Sequence, residues 1–332
     1  MSIPVILDMD NAAGIPGRDV DDALALALAL ASPEISLVGC TACAGNCRTH
    51  ESARNTAHQL FLAGREDIPV AAGREEPFLR DRSAHFRHME QPLSGQEAAF
   101  WRAMPAPPAQ VPPLSPLKAH ELIIEKAREY PGELVVVMVG SLTNLALALL
   151  AEPGIAPLIR EVIHMGGAYR DDDIRWEDST PDIPPEVWRD TLRFNPLHDP
   201  EASLMVFRSG VPVIVVPANV TMNVFLRPGE LEPLRESQSA FHRHLFSCCE
   251  PWIEWSRACR RLEGMHLHDP LALALSFLPH LCCTRPMRVD EAVLLAPDGT
   301  FLTDSGDGPE VRVACNVQRR HFESILRKRI KK

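Results

Sequence analysis

The sequence alternates short apolar runs with helical stretches over most of its length. Six runs have this character: PVIL, ISLVGCTAC, IPVAAG, LVVVMV, VIHM and VPVIVVP. Apolar runs without polar alternation are typical of parallel strands covered by helices on both faces. The pattern therefore predicts an α/β fold with an open, mostly parallel, Rossmann-like sheet flanked by helices.

Two long connections, about 74–116 and 169–193, interrupt this alternation. Loops of this length commonly serve as lids or binding loops. The strand–helix pattern resumes after each of them, so neither is expected to link independent domains. We expect one domain over residues 1–332, with both loops near the active site. The aromatic residues of these loops are interpretable as stacking partners for a ligand or as loop anchors: Phe86, Trp101, Trp176 and Trp188.

The overall charge argues against a polyanionic partner. The formal net charge is -10 and the isoelectric point is about 5.7, so nothing global attracts nucleic acid or an anionic membrane. No apolar run reaches the length of a membrane span. We expect a small-molecule partner, with no nucleic acid and no membrane partner.

The cysteines indicate a reducing compartment. There are nine, an odd number, and no signal peptide precedes the first predicted strand, which predicts a cytoplasmic protein. Cys40, Cys43 and Cys47 are close enough in sequence to suggest a metal cluster, but they do not complete a four-thiolate set. We expect them to be buried as small apolar residues.

Five carboxylates surround one short loop. The segment ILDMDNAAGIPGRDVDDALALALALA, residues 6–31, contains Asp8, Asp10, Asp19, Asp21 and Asp22. Carboxylates this close repel one another unless a cation, a proton or hydrogen-bond donors compensate them. Asp21 or Asp22 is also placed to cap the helix that follows.

Further polar residues follow other predicted strands, and ligands of parallel sheets bind beyond the carboxyl ends of the strands. Asn46 follows the second strand, and His268 and Asp269 begin a later helix. The oxygen ligands Asp10, Asp22 and Asp269 suit a hard cation, and Ca2+ accepts such irregular sites. A helix cap or a structural His–Asp pair accounts for His268 and Asp269 without any function.

The segment LDMDNAAGIPGRDVDDALALAL resembles the N-terminal aspartate motif of the inosine-uridine-preferring nucleoside hydrolases, in a longer-loop form. The resemblance continues in family order through CAGN, VGSLTNLALAL, IHMGGAY, FNPLHDPEASLMVFRSGVPVIVV, NVT and HDPLALAL. It implies the nucleoside hydrolase fold, a calcium-dependent N-ribosyl hydrolase of ribonucleosides, and a homodimer or homotetramer. Asp10, Asp22, the backbone carbonyl of Val139 and Asp269 would hold Ca2+.

The resemblance also implies roles around the ribose. Asp10 would be the general base for water. Asp21 and Asn46 would bind the ribose hydroxyls and the water. Asn195 would contact the sugar and take part in catalysis, and Met165 would lie beneath the ring. Carboxylate and amide oxygens suit this reaction because its transition state resembles an oxocarbenium ion.

Three histidines are candidates for assisting the departing base. His268 matches the family's histidine beside the last metal ligand and is the first candidate for general acid. His85 and His88, in the first long loop, are further candidates, and His88 is a candidate substrate contact. For both loop histidines we favour the interpretation that they are plain surface residues.

The chain departs from the family pattern on the 5' side of the ribose. Arg193-Phe194-Asn195 stands where the family has Glu-Phe-Asn. Arg193 would then receive a 5'-phosphate or another anionic group. The alternative is that Arg193 pairs with one of the acidic residues nearby in sequence, which are Asp171, Asp172, Asp173 and Asp190.

Two other functions stay open. Asp8-Met9-Asp10 after a strand also begins phosphatases of the haloacid-dehalogenase class, where Asp8 would be the nucleophile and Mg2+ the cofactor. The second alternative is a homologue that binds a ribosyl ligand but turns it over weakly, which the altered sugar-side residues motivate.

Overall fold

The central feature of the structure, a computed structural model, is a twisted sheet whose middle strands are parallel. The structure describes residues 2–93, 95, 97–104, 111–169, 194–296 and 300–332. Within these residues the main sheet has nine strands in the order β10-β9-β11-β6-β5-β4-β1-β2-β3, and β7 and β8 form a separate two-stranded ribbon. The strands are β1 (Ile3–Met9), β2 (Ile35–Ala42), β3 (Val70–Ala72), β4 (Leu134–Met138), β5 (Ile159–Met165), β6 (Val213–Val216), β7 (Phe225–Leu226), β8 (Met265–His266), β9 (Cys283–Val289), β10 (Leu302–Thr303) and β11 (Glu310–Cys315).

Helices cover both faces of this sheet. Among the described residues the helices include α1 (Asp21–Leu30), α2 (Thr49–Leu62), α3 (Ser83–Met89), α4 (Glu97–Phe100), α5 (Ala119–Glu129), α6 (Thr143–Ala151), α7 (Pro200–Arg208), α8 (Ala218–Thr221), α9 (Glu232–Arg235), α10 (Ala240–Arg260), α11 (His268–Leu275), α12 (Glu291–Leu295) and α13 (Arg319–Arg329). A short helical segment also covers residues 194–198.

The six predicted apolar runs are all strands, and the predicted α/β class is confirmed. From β3 to β6 every neighbouring pair in the sheet is parallel. All five residues of β4 are buried, as expected for a strand covered on both faces. Parallel pairing brings the carboxyl ends of β1, β2, β4, β5 and β6 to one edge of the sheet. The polar residues that follow these strands therefore converge.

Helices α1 and α11 lie against each other beneath that edge. Both are built from alternating leucine and alanine, and every residue of α1 from Asp21 to Ala29 is buried. A helix that is apolar all round must be enclosed on all sides. Its enclosure carries the carboxylates of its first turn into the protein interior.

The C-terminal part of the sheet was not predicted. β9 pairs antiparallel with both β10 and β11, and β11 returns to a parallel pairing with β6. The sequence of β9, CTRPMRV, contains a proline and two arginines and is only partly buried. Such a strand lacks the continuous apolar signal on which the other predictions depended.

The two long connections are described to different extents. The first contains α3 and α4, and it buries Phe86 and Trp101, which are 2% and 5% exposed. Trp101 packs against Trp255 of α10, with ring centroids 5.8 Å apart, so both loop aromatics anchor the loop. The second connection lies outside the described residues from 170 to 193, together with Trp176, Trp188 and Arg193.

All nine cysteines fall within the described residues and are free thiols. Cys40, Cys43 and Cys47 are buried, as predicted. No described helix combines the length and apolar character that crossing a membrane requires.

Candidate active site

Three carboxylates from two helices meet at the carboxyl edge of the sheet. Asp21 and Asp22 begin α1, and Asp269 lies in the first turn of α11. One carboxylate oxygen from each lies within 4.8 Å of the other two, and all three side chains are buried. Close packing of the leucine–alanine helices sets this arrangement, because it brings the two helix N-termini together.

Asp22 is a fully buried carboxylate, 0% accessible, whose two oxygens Oδ1 and Oδ2 make no hydrogen bond. Burial raises the pKa of this carboxyl well above its usual range, and the charges of Asp10 and Asp21 raise it further. A buried carboxylate without a donor requires a proton or a cation.

Asp21 is held by the opposite helix. Its Oδ2 accepts a hydrogen bond of 2.9 Å from the backbone N–H of Asp269. The prediction that Asp21 or Asp22 caps α1 is wrong, since the N-cap position is Val20 and no side chain caps it. Asp269 likewise does not cap α11, whose N-cap residue is Leu267. The first-turn carboxylates of the two helices therefore point towards one another and do not cap the backbone N–H groups of their own helices.

Asp10 lies beside this group, just beyond β1. Its Oδ2 accepts a hydrogen bond from the Asn46 backbone N–H at 2.7 Å, and its Oδ1 accepts one from Asn46 Nδ2 at 3.3 Å. Burial raises the pKa of Asp10 to about 7, against the hydrogen bond from the Asn46 backbone. Asp10 is outside the three-carboxylate group, so its role as a metal ligand stays a prediction.

Gly45 makes room for the Asp10 carboxylate. A Cβ atom at position 45 would stand 1.9 Å from Asp10 Oδ2, which no side chain tolerates. The carbonyl of Gly45 also contacts His85 Nε2 at 3.0 Å. Gly45 was not among the predicted site residues, although a glycine directly before Asn46 is a sequence signal for such a close approach.

Asp8 supports the site from within the sheet. It is completely buried, and its Oδ2 accepts hydrogen bonds from Thr41 Oγ1 at 2.5 Å and from Asn144 Nδ2 at 2.7 Å. Burial raises its pKa to about 6, and these two donors oppose the rise. A nucleophile must reach its substrate, so the geometry does not favour Asp8 as the nucleophile of a phosphatase. Thr41 was missed because nothing in the sequence pairs it with Asp8.

Asn195 connects Val139, the predicted carbonyl ligand, with Met165, the residue predicted to lie beneath the ribose. Its Nδ2 donates to the carbonyl of Val139 at 2.6 Å and to the carbonyl of Met165 at 3.1 Å. Val139 follows β4 and Met165 ends β5, so Asn195 bridges two strand ends. With Nδ2 committed to these carbonyls, the amide presents Oδ1 to a ligand.

His268 is held by a hydroxyl at the start of α11. Its Nδ1 lies 2.8 Å from Thr221 Oγ1, the last residue of α8. Burial, together with a smaller effect of the nearby Arg260 cation, lowers the pKa of His268 to about 3. The ring is therefore neutral near neutral pH and can offer a hydrogen bond through Nε2 when Thr221 donates to Nδ1.

The loop histidines differ from each other. His85 is half-buried in α3 and contacts the Gly45 carbonyl, and burial lowers its pKa. The surface interpretation is thus wrong for His85. His88 is exposed on the same helix, so that interpretation holds for His88, and its predicted substrate contact stays a prediction. Arg193 lies outside the described residues.

The donor set of the site consists of carboxylate, carbonyl and amide oxygens. These are the ligands that hard cations such as Ca2+ and Mg2+ prefer, whereas zinc and other softer metals favour sulfur and imidazole. The backbone N–H of Asp10 opposes the rise in the pKa of Asp22. Neither Asp22 oxygen has a partner in hydrogen-bond geometry, however, so both buried oxygens can turn to a cation.

Comparisons with known proteins agree with this geometry. The family model described as inosine-uridine preferring nucleoside hydrolase matches residues 5–324. The probable uridine nucleosidase 2 of Arabidopsis thaliana is 32% identical over 280 residues, which cover 83% of this chain and 78% of that protein. The pyrimidine-specific ribonucleoside hydrolase RihA of Citrobacter koseri is 31% identical over 339 residues, which cover 99% of this chain and 98% of that protein. The solved structure of the plant nucleoside hydrolase PpNRh1 matches with a TM-score of 0.77 and 29% identity, and the match covers 100% of this chain and 99% of that one.

Proposed function

The chain belongs to the inosine-uridine preferring nucleoside hydrolase family and is a hydrolase of N-glycosyl compounds, and on that premise we propose that it cleaves pyrimidine ribonucleosides with the aid of bound Ca2+. The products would be the free base and ribose. The pyrimidine preference follows the names of the two relatives, a uridine nucleosidase and a pyrimidine-specific hydrolase. The observation that carries the cation proposal is the buried Asp22 carboxylate with no hydrogen-bond partner.

Asp10, Asp22, Asp269 and the carbonyl of Val139 would hold the cation. Asp22 and Asp269 have carboxylate oxygens within 4.8 Å of each other, and Asp10 raises the pKa of Asp22 through its charge. Ca2+ suits a set that mixes carboxylates with a backbone carbonyl. When bound, a divalent cation polarises its oxygen ligands and lowers the pKa of water, which makes a nucleophile available near neutral pH.

Asp10 would take the proton from the attacking water. Two hydrogen bonds from Asn46 fix the orientation of its carboxylate, and Gly45 leaves the space that this orientation needs. Positioning of this kind supplies much of the advantage of a general base. Asp21 and Asn46 would contact the ribose hydroxyls.

The remaining residues would act on the sugar and the base. Asn195 offers Oδ1 to the ribose, where a partial positive charge develops as the glycosidic bond breaks. Met165, 5% exposed at the end of β5, would form the floor under the ring. His268 would donate a hydrogen bond from Nε2 to the departing base, since Thr221 engages its other nitrogen.

The test is release of reducing sugar from uridine, cytidine, inosine and their 5'-monophosphates, with calcium and after chelation. We expect calcium-dependent release from uridine. Faster release from the 5'-monophosphates would support a phosphate contact for Arg193, and equal rates in Arg193→Glu would remove it. Absence of release from every compound, with calcium bound, would overturn the hydrolase proposal in favour of the weakly catalytic homologue.

The assembly and location of the protein are also proposals. The family resemblance implies a homodimer or homotetramer, and the nine cysteines, all free thiols, favour the cytoplasm. Light scattering during size-exclusion chromatography distinguishes these assemblies from a monomer of 36.8 kDa.

A further inference from the structure

We propose that Glu323, on the C-terminal helix α13, is a positioning residue that fixes the His268 imidazole through Phe225 and His266. This inference rests on the proposed function, since it assigns His268 the hydrogen bond to the departing base. Sequence analysis gave no reason to single out Glu323. It lies in the basic segment RRHFESILRKRIKK, residues 319–332.

Glu323 is a buried carboxylate with an unusual partner. Glu323 is 5% exposed, and its Oε1 accepts a hydrogen bond of 3.0 Å from the backbone N–H of Phe225. Arg227 Nη1 donates to Oε2 at 3.0 Å, and Arg319 Nε donates to Oε1 at 3.1 Å. A buried carboxylate with charge-assisted donors is held in one place, so it fixes the backbone of β7 in turn.

The ring of Phe225 transmits this constraint towards the site. Phe225 lies directly opposite His266 in the two-stranded ribbon, and their ring centroids are 4.5 Å apart. The ring of His266 lies 5.0 Å from that of His268. Arg227 and Arg319 stand over the Phe225 ring at 5.9 and 5.3 Å from its centroid, so the two arginines that bind Glu323 also hold this ring.

The backbone follows the same route. The N–H of Leu267 donates to the carbonyl of Val224 at 3.1 Å, next to Phe225. Thr221, three residues earlier, contacts His268 Nδ1. The segment 221–225 is therefore bonded to the segment 266–268 through both its backbone and Thr221, and Glu323 binds the backbone of Phe225 at the end of the first segment.

The consequence concerns the departing base. A pyrimidine base leaves poorly and needs a hydrogen bond or a proton, whereas 4-nitrophenolate leaves without such help. A residue that positions His268 should therefore matter for uridine and not for 4-nitrophenyl β-D-ribofuranoside. A merely structural role would lower turnover of both substrates alike.

The first experiment measures kcat and KM on both substrates for Glu323→Ala, Glu323→Gln and Phe225→Leu. We expect Glu323→Ala and Phe225→Leu to lower kcat on uridine by about tenfold or more, with KM and the 4-nitrophenyl riboside within about twofold of wild type. Glu323→Gln should retain most uridine turnover, because the glutamine Oε1 can still accept from Phe225. Equal losses on the two substrates in both Glu323→Ala and Phe225→Leu would overturn the proposal.

Glu263 provides the matched control. Its carboxylate pairs with the same two arginines, Arg227 and Arg319, but it is half-exposed and belongs to the loop after α10. Glu263→Gln should leave uridine turnover unchanged. A loss in Glu263→Gln equal to that in Glu323→Ala would show that the arginine ion pairs alone cause the effect, and would contradict the route through Phe225.

A spectroscopic measurement separates this inference from the proposed function. Ring 15N signals of His268, assigned by their loss in His268→Gln, should shift or broaden in Glu323→Ala and Phe225→Leu but not in Glu263→Gln. If the wild-type protein cleaves neither substrate, the proposed function fails, and these spectra alone decide the positioning. Unchanged His268 signals in Glu323→Ala would overturn it.

Discussion

The backbone N–H of Asp269 donates to Oδ2 of Asp21 at 2.9 Å, across 248 positions of sequence. This bond joins the N-termini of α1 and α11, the two leucine–alanine helices that carry the carboxylate cluster. The positive ends of both helix dipoles point towards the same carboxylates and offset part of their repulsion. A proton or the cation that we propose would compensate the remainder.

Replacing Asp21 tests whether this bond holds the two helices together. Asp21→Asn and Asp21→Ala both remove the charge, but the asparagine Oδ1 can still accept from Asp269. We expect Asp21→Ala to be less stable than Asp21→Asn by about 1–3 kcal/mol, the cost of leaving a buried N–H unsatisfied. Urea unfolding without added calcium measures the difference. Coincident unfolding curves for the two variants would show that the bond does not stabilise the fold.

Asp22→Asn should stabilise the calcium-free protein. The wild-type carboxylate is buried among other acids without a donor, so replacing it with a neutral amide removes repulsion. We expect the free energy of unfolding at pH 8 to rise by about 1–3 kcal/mol. The exposed Asp67, paired with Arg65 at 2.9 Å, supplies the control, and Asp67→Asn should change stability by no more than about 1 kcal/mol. A less stable Asp22→Asn would mean that Asp22 is already compensated.

Gly45→Ala tests the space around the general base. The new Cβ would displace the Asp10 carboxylate, from which it would stand 1.9 Å. Relieving this clash requires the carboxylate to move by about 1 Å, and a misplacement of about 1 Å can cost about 100-fold, so we expect uridine turnover to fall by about that factor. Gly154→Ala is the control, since a Cβ at position 154 meets nothing within 4 Å. Wild-type turnover in Gly45→Ala would remove Asp10 from the role of base.

His198 should make the protein sensitive to acid. It is 2% exposed between His85 and Phe86, and burial lowers its pKa to about 3. The unfolded chain, with a histidine pKa of about 6.5, binds more protons than the folded one between these values, so stability falls as pH drops below about 6.5. The slope from one such group is at most about 1.4 kcal/mol per pH unit. His198→Phe, which keeps a ring in place, should flatten the profile of unfolding free energy between pH 6.5 and 4. Parallel profiles for the two proteins would contradict this assignment.

The strands that were predicted correctly are those whose burial is visible in the sequence as an apolar run. Strands β1 to β6 are mostly buried and each overlaps one of the short apolar runs, so their positions were clear. β9 and β11 lie towards the edge of the sheet, alternate buried with exposed residues and contain arginines. Their pairing depends on contacts between distant segments, which local composition does not record.

The site also has one part that the sequence predicted and one part that only the folded structure shows. The sequence singled out the aspartates, because five carboxylates around one loop are improbable without compensation. It could not show that Asp21 bonds to Asp269, that Thr41 and Asn144 hold Asp8, or that Glu323 contacts Phe225. Each of these contacts joins residues at least 33 positions apart, so it exists only once the chain has folded.

The most direct test of the account is calcium titration calorimetry of Asp22→Asn beside wild type and Asp67→Asn, with uridine turnover measured on the same samples. The account predicts that Asp22→Asn binds calcium about 100-fold more weakly, a loss of about 2.7 kcal/mol, and loses turnover in step, while Asp67→Asn matches wild type. Equal calcium affinity in Asp22→Asn and wild type would contradict the claim that the buried, unpartnered carboxylate of Asp22 forms the cation site of this hydrolase.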